Sequence, residues 1–279
     1  MVNWKSAPTD TLKNWIGKSL ELAILLQCDW ECTACSAYSN FHSIAFTRKG
    51  TMTLDQIRYF IEQMHDANAY LGRIRILGGE PTIHKFFHEI VKLLHAELVE
   101  NGHVGFLEVI TNGDHMERIA PVKHLFHRVR VSGERDKQKH HVSNMRATPE
   151  SLGYEGIRCS QPTYCGAQLN HWGFFPCSAG AGIARLTDTV EKYKRVSLPI
   201  VGGPDANWNN IQELCNKCLH GLREKDKVKC GTGTKSGQFA LNAPSPEVWN
   251  HLAPWLQGKQ ADWDVYGSDK AVRETEGKT

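Results

Sequence analysis

The apolar run Leu20-Glu-Leu-Ala-Ile-Leu-Leu-Gln27 leads without a break into Cys28-Asp-Trp-Glu-Cys-Thr-Ala-Cys35. A short, nearly continuous apolar run reads as a buried strand. The CxxxCxxC triplet of Cys28, Cys32 and Cys35 therefore sits on the loop that leaves this strand. Three soft thiolates on one short loop suit an iron–sulfur cluster, and stopping at three leaves one iron open to a non-protein ligand. Half of a zinc site is the plainer alternative.

The segments that follow alternate in period. Thr53 to Ala69 carries Leu54, Ile57, Phe60, Ile61 and Met64 at the spacing of an amphipathic helix, with Thr53 placed as its cap. Arg73 to Leu77 reads as a strand running into Gly78-Gly-Glu-Pro81, and Lys85 to Asn101 as a second helix with Phe86, Ile90, Val91, Leu94 and Leu98 on one face. Gly105 to Ile110 is a third strand ending in Thr111-Asn-Gly113, Arg118 to Phe126 is helical in pattern, and Arg128 to Val131 is a fourth strand. Strands alternating with helices at this spacing give a mostly parallel α/β sheet, closed or partly closed. From about Pro149 helical periodicity fades, and six of the nine cysteines fall between Cys159 and Cys230. A second, cysteine-bearing module follows from that shift. The last twenty residues, rich in Lys, Asp, Glu and Gly, read as a solvated tail.

The 279 residues suffice for one large domain or a domain with an appendage. With 33 Lys and Arg against 30 Asp and Glu, the formal charge is only +3 and the basic residues are scattered, which argues against a nucleic-acid or membrane-surface protein. The N-terminus lacks the apolar core of a signal peptide and no run approaches a membrane span, so the expectation is a cytoplasmic protein. In that compartment clustered cysteines bind metal more often than they form disulfides.

Ligands of parallel α/β sheets collect beyond the carboxyl ends of the strands. The triplet, Gly78-Gly-Glu-Pro81 and Thr111-Asn-Gly113 each occupy such an end. Adjacent glycines let a backbone approach a ligand closely, and the Glu80 carboxylate is suited to accept hydrogen bonds from a ligand ammonium.

With these residues in these places the sequence resembles the radical S-adenosylmethionine (radical SAM) superfamily. The resemblance implies a partial (β/α)6 TIM-like barrel over residues 20–158. It implies a [4Fe-4S] cluster held by Cys28, Cys32 and Cys35, with S-adenosylmethionine chelating the fourth iron and cleaved reductively to a 5′-deoxyadenosyl radical that abstracts a substrate hydrogen. Gly78, Gly79, Glu80 and Pro81 would bind the methionine amino group. Asn112 and Ser132 fall at further strand ends where cofactor contacts are expected, with Gly133 to Asp136 beyond. Ala34 departs from the family, in which the position before the third cysteine is commonly aromatic and packs on adenine; Tyr38 or Phe41 would have to replace it.

Cys165 to Cys177 reads as a short hairpin with a glycine turn at Gly173, and Cys215-Asn-Lys-Cys218 as a CxxC knuckle. Four thiolates brought together this way can enclose a cluster or a zinc ion. The pattern resembles the twitch module, a shortened SPASM domain, of radical SAM enzymes. That implies a small C-terminal auxiliary domain over about 159–243 with a second [4Fe-4S] cluster on Cys165, Cys177, Cys215 and Cys218. Residues 1–19 would be an N-terminal arm and 244–279 a helix and flexible tail. Cys159 competes with Cys165 as first ligand, and Cys230 is either a ligand or a buried small hydrophobe. The layout is similar to that of twitch-type dehydrogenases acting on aminocyclitols.

The expected activity is therefore oxidation of a sugar or aminocyclitol-like small molecule with the auxiliary cluster as electron acceptor, and an external one-electron reductant such as flavodoxin or ferredoxin. Carbon epimerisation, with Cys159 or Cys230 as hydrogen donor, and peptide or nucleotide modification are the alternatives within the family. A non-catalytic zinc protein is the alternative outside it. Arg130, Arg135 and Arg158 are weak candidates for a general base. His84 and His88 lie four apart on an expected surface helix face, His140-His141 sits in a charged loop, and Trp172, Phe174 and Phe175 read as hairpin packing.

Overall fold

The protein is represented by a computed structural model that describes residues 14–30, 50–132, 166–186, 189–199 and 213–214. Strand β1 (Asn14–Gly17) pairs in parallel with β3 (Ala69–Leu71). The main sheet contains β2 (Leu20–Leu25), β4 (Ile74–Gly78), β5 (Leu107–Thr111), β6 (Arg128–Val131), β7 (Ala167–Asn170) and β8 (Gly173–Phe175). Its order is β6-β5-β4-β2-β7-β8, parallel except for the β7–β8 hairpin. The expected α/β class with a parallel-dominated sheet is observed.

Helix α1 (Leu54–Asp66) begins where its sequence specifies. Thr53 Oγ1 accepts the Gln56 N–H at 3.2 Å while Gln56 Oε1 accepts the Thr53 N–H at 3.0 Å, a complete capping box. Ile57, Phe60, Ile61 and Met64 form its buried stripe. Helix α2 (Phe87–Leu94) runs on through a π turn over His95–Val99 and buries Phe87, Ile90, Val91 and Leu94. The expected third helix divides into α3 (Met116–Ile119) and a 3-10 segment over Ala120–Leu125, which opens with Pro121 in its first turn. Helices α4 (Ser178–Leu186) and α5 (Val190–Tyr193) follow the hairpin. Among the described residues no helix is long and apolar enough to cross a membrane.

The two sheet faces differ in chemistry. Leu20, Leu22, Ile24, Ile74, Ile76, Leu107 and Val109 join the buried stripes of α1 and α2 in one apolar core. The alternate positions carry a row of polar side chains in register: Gln168 opposite Glu21, Glu21 opposite Arg75, Arg75 opposite Glu108, and Glu108 opposite Arg128. Burying single charges is costly unless they are paired and hydrogen-bonded, and here the signs alternate across the strands. Arg75 Nη1 lies 2.6 Å from Glu21 Oε1, and Arg128 Nε lies 2.6 Å from Glu108 Oε1. Buried Arg73 approaches Glu108 at 3.4 Å and donates to Ser19 Oγ at 3.1 Å; burial and the neighbouring Arg75 bring it down to about 10, so it stays charged at neutral pH. A one-residue slip of any strand would turn its charged residue into the apolar core, so the row fixes the register that places the strand ends.

The hairpin belongs to this sheet. β7 pairs with β2 on the side opposite β4, and its turn at His171-Trp172 rests on α1, where Gln56 Nε2 donates to the His171 carbonyl at 2.8 Å and Phe60 meets Phe174 edge-on. The Ser178 hydroxyl, at the start of α4, bonds the Glu21 carboxylate and accepts from Gln168 Nε2 at 3.1 Å. The expected boundary between residues 158 and 159 lies outside the described residues.

Candidate functional site

The carboxyl ends of β2, β4, β5 and β6 bring together Cys28, Gly78 to Pro81, Asn112 and Ser132. Pairing between β2 and β4 continues past the strands: the Gly79 N–H donates to the Leu25 carbonyl and the Glu80 N–H to the Gln27 carbonyl, both at 2.9 Å. Two residues without side chains make this possible. A Cβ on Gly78 would lie 2.2 Å from the Leu25 oxygen, and one on Gly79 would lie 2.0 Å from the Gln27 oxygen. The glycines thus dock the β4 end against the chain that delivers Cys28.

Glu80 is buried at the centre of this arrangement. Its Oε1 accepts from the Thr82 N–H at 3.0 Å, the Thr82 hydroxyl at 2.5 Å and the Thr111 hydroxyl at 2.8 Å. Its Oε2 accepts from the Asn112 N–H at 2.6 Å. A buried carboxylate with this many donors is well compensated. Among the described residues Oε2 has a single donor, which leaves it acceptor capacity for one more. Pro81 opens a 3-10 turn over Pro81–Ile83 and lacks the N–H that such a position leaves unbonded.

Asn112 joins the loops. Its Nδ2 donates to Asp29 Oδ1 at 2.8 Å, and its Oδ1 accepts the Asp114 N–H at 2.9 Å. His115 Nε2 lies 2.7 Å from Asp29 Oδ2, a hydrogen bond that raises the histidine above its usual value. The Trp30 indole N–H donates to Asp114, and the Trp30 backbone N–H reaches Cys28 Sγ at 3.4 Å. Ser132 is turned inward, with both its N–H and its hydroxyl donating to the Thr111 carbonyl at 2.8 and 3.2 Å.

Asp29, Trp30, Asp114 and His115 were not singled out by sequence pattern. Their only local signal is their position just after β2 and β5, because the contacts between them span more than eighty residues. His84 corrects an expectation. It is buried ahead of α2 instead of lying on a surface face, accepting the Phe86 N–H on Nδ1 at 3.0 Å while Nε2 meets the Met52 carbonyl at 2.9 Å. The two bonds fix the Nε2–H tautomer, and burial holds the ring below its usual value. His88 lies on α2 and meets the Arg118 carbonyl at 2.6 Å, so the two histidines share no ligand-binding face.

Cys177 immediately precedes α4. Its carbonyl accepts the Ala181 N–H at 2.9 Å and its sulfur the Gly180 N–H at 3.3 Å. A Cβ on Gly180 would lie 3.4 Å from the Cys177 sulfur and 3.0 Å from Leu214 Cδ2, so the residue before Cys215 packs at the same corner. Cys32, Cys35, Cys159, Cys165, Cys215, Cys218 and Cys230 lie outside the described residues, as do Ala34, Tyr38, Phe41, Arg135, Arg158 and the His140-His141 pair. Among the described residues no group of three or more His, Cys, Asp or Glu is arranged to hold a metal.

Residues 23–150 match the family model of the radical SAM superfamily. A GTP 3′,8-cyclase of Cronobacter sakazakii is 30% identical over 99 residues, which are 36% of this chain and 28% of that relative's length. Two solved structures of BtrN share 16% identity with the chain. The complex with AdoMet and 2-DOIA aligns over 60% of this chain and 75% of its own with a TM-score of 0.42, and the open conformation over 83% and 97% with a TM-score of 0.43. The segment matched by the family model starts inside β2 and takes in Cys28, Gly78 to Pro81, Asn112 and Ser132, so the part of this chain that is similar to the radical SAM superfamily holds these strand-end residues.

Proposed function

We propose that this chain is a radical SAM enzyme with a partial (β/α)6 barrel that oxidises a sugar or aminocyclitol-like small molecule. The observation that carries the reading is the convergence of Cys28, the Gly-Gly-Glu-Pro turn and Asn112 on adjacent strand ends, held by Glu80, inside the segment matched by the family model. The family implies S-adenosylmethionine and one [4Fe-4S] cluster. The residues present fit that pair: Cys28 offers a soft thiol on the strand-end loop, and Glu80 Oε2 retains acceptor capacity suited to an ammonium. When bound, the group supplies a 5′-deoxyadenosyl radical that takes a hydrogen atom from the substrate.

The chain's own residues do the rest. Cys28, Cys32 and Cys35 hold the site cluster, and Gly78, Gly79, Glu80, Pro81, Asn112 and Ser132 line the cofactor seat. The strand-end loops orient the substrate and exclude water from it. Cys165, Cys177, Cys215 and Cys218 would hold an auxiliary cluster, which would supply an acceptor for the electron left on the substrate. That Leu214 and Cys177 both pack around Gly180 supports joining the hairpin to the knuckle. Electrons enter from an external one-electron donor such as a flavodoxin or ferredoxin.

Iron content of anaerobically reconstituted protein tests this reading. About eight irons per chain, falling to about four when Cys28, Cys32 and Cys35 are replaced together by Ala, is the expected result. A colourless protein that retains zinc would contradict it.

A further inference from the structure

A loop that carries three cluster ligands needs something to fix its course, because thiolates alone do not set the direction in which the first turn leaves the strand. Here Cys28 is half-buried and its sulfur accepts the Trp30 N–H at 3.4 Å. The two residues after it are held from across the sheet. Asp29 takes Asn112 on one oxygen and His115 on the other, across 83 and 86 residues of chain, and Trp30 is held by Asp114 across 84. The holding loop is itself fixed, since the Asn112 N–H is bound to buried Glu80 and the Asn112 side chain receives the Asp114 N–H.

From this geometry we infer that Asp114 and His115 are positioning residues for the site cluster. Acting through Asp29 and Trp30, they transmit the rigidity of the Glu80 node to the first turn of the cysteine loop and set where Cys28 presents its sulfur. The inference rests on the reading of Cys28 as a cluster ligand. Groups that orient a metal ligand typically change metal affinity or activity by about 10- to 100-fold when removed. The Asp29–His115 pair is about one-third exposed on both sides, so its removal changes global stability little.

The test uses the full chain with its clusters reconstituted, comparing wild type with His115→Ala, His115→Gln, Asp114→Ala and Cys28→Ala. Two quantities are read: the rate at which a ferrous chelator removes iron, and the change that S-adenosylmethionine makes in the electron paramagnetic resonance spectrum of the reduced protein. His115→Ala should release the triplet's iron about tenfold faster and blunt the spectral change, at a urea midpoint close to wild type. His115→Gln, whose amide N–H still reaches Asp29, should restore both. Asp114→Ala, which removes the indole tether, should fall between and serves if His115→Ala folds poorly. Wild-type behaviour in both alanine variants, with Cys28→Ala losing the spectral change, would overturn the positioning role alone. A spectral change that survives Cys28→Ala would overturn the ligand assignment, and the inference with it.

Discussion

The Asn112 backbone N–H lies 2.6 Å from Glu80 Oε2, and through that bond the ends of β4 and β5 are fastened to each other. The same carboxylate takes Thr82 and Thr111, so a single buried charge organises two of the strand ends that form the candidate site. Glu80→Gln keeps the shape but presents an amide donor to groups that also donate. It should destabilise the fold by about 2 to 4 kcal/mol, measured by urea unfolding, and weaken S-adenosylmethionine binding measured by equilibrium dialysis. Unchanged stability would mean that the carboxylate is not the organising group.

Gly79 supplies the close approach of the β4 end to the residues before Cys28. A methyl group there would lie 2.0 Å from the Gln27 oxygen, and backbone, unlike a side-chain tip, cannot swing away. Gly79→Ala should therefore cost about 1 to 3 kcal/mol and lower the iron retained after reconstitution. Wild-type stability and iron content together would show that the two chains can part without consequence.

The charged row across the sheet makes a prediction about removing one member. Arg75→Met leaves Glu21 and Glu108 buried beside a neutral side chain, and should cost about 3 to 5 kcal/mol. Adding Glu21→Gln to Arg75→Met should recover part of that loss, because the remaining cost comes from an uncompensated charge. Additive losses in the double variant, measured by urea midpoints, would argue against pairing as the source of stability.

Acid stability reports on His171. Burial, aided by the nearby Arg185 charge, pulls its ring down to about 4, and among the described residues its buried Nδ1 has no hydrogen-bond partner. A base with a depressed folded value stabilises above its ordinary value of about 6.5 and loses that contribution as pH falls toward 4. The loss between those limits should reach at most about 3 kcal/mol. His171→Phe should flatten the dependence over that window, and an unchanged pH profile of unfolding in the variant would remove His171 as the cause.

Local pattern carried the framework. Thr53 marks the start of α1, and the apolar run from Leu20 to Gln27 marks β2, although the polar face that Glu21 belongs to emerges only from the register of its neighbours. The strand-end placement of Cys28, Gly78 to Pro81 and Asn112 follows from the order of those elements. What sequence did not reveal is how strand ends distant along the chain are joined. The Glu80 carboxylate reads as a ligand group, yet most of its acceptor capacity serves the protein. Asp29 and His115 have no periodic signal, because their pairing depends on β2 and β5 both flanking β4. His84 lies four residues before His88, but the helix begins only at Phe87, so the spacing did not mean a shared face.

In the proposed function the loop beginning at Cys28 generates a radical from S-adenosylmethionine. Anaerobic incubation of the reconstituted protein with dithionite and S-adenosylmethionine, followed by chromatographic quantification of 5′-deoxyadenosine and methionine, tests it most directly. Wild type should give equal amounts of both products, and the protein with Cys28, Cys32 and Cys35 all replaced by Ala should give none above background. Cleavage by that variant at the wild-type rate, or none by a wild-type protein carrying its full iron, would contradict it.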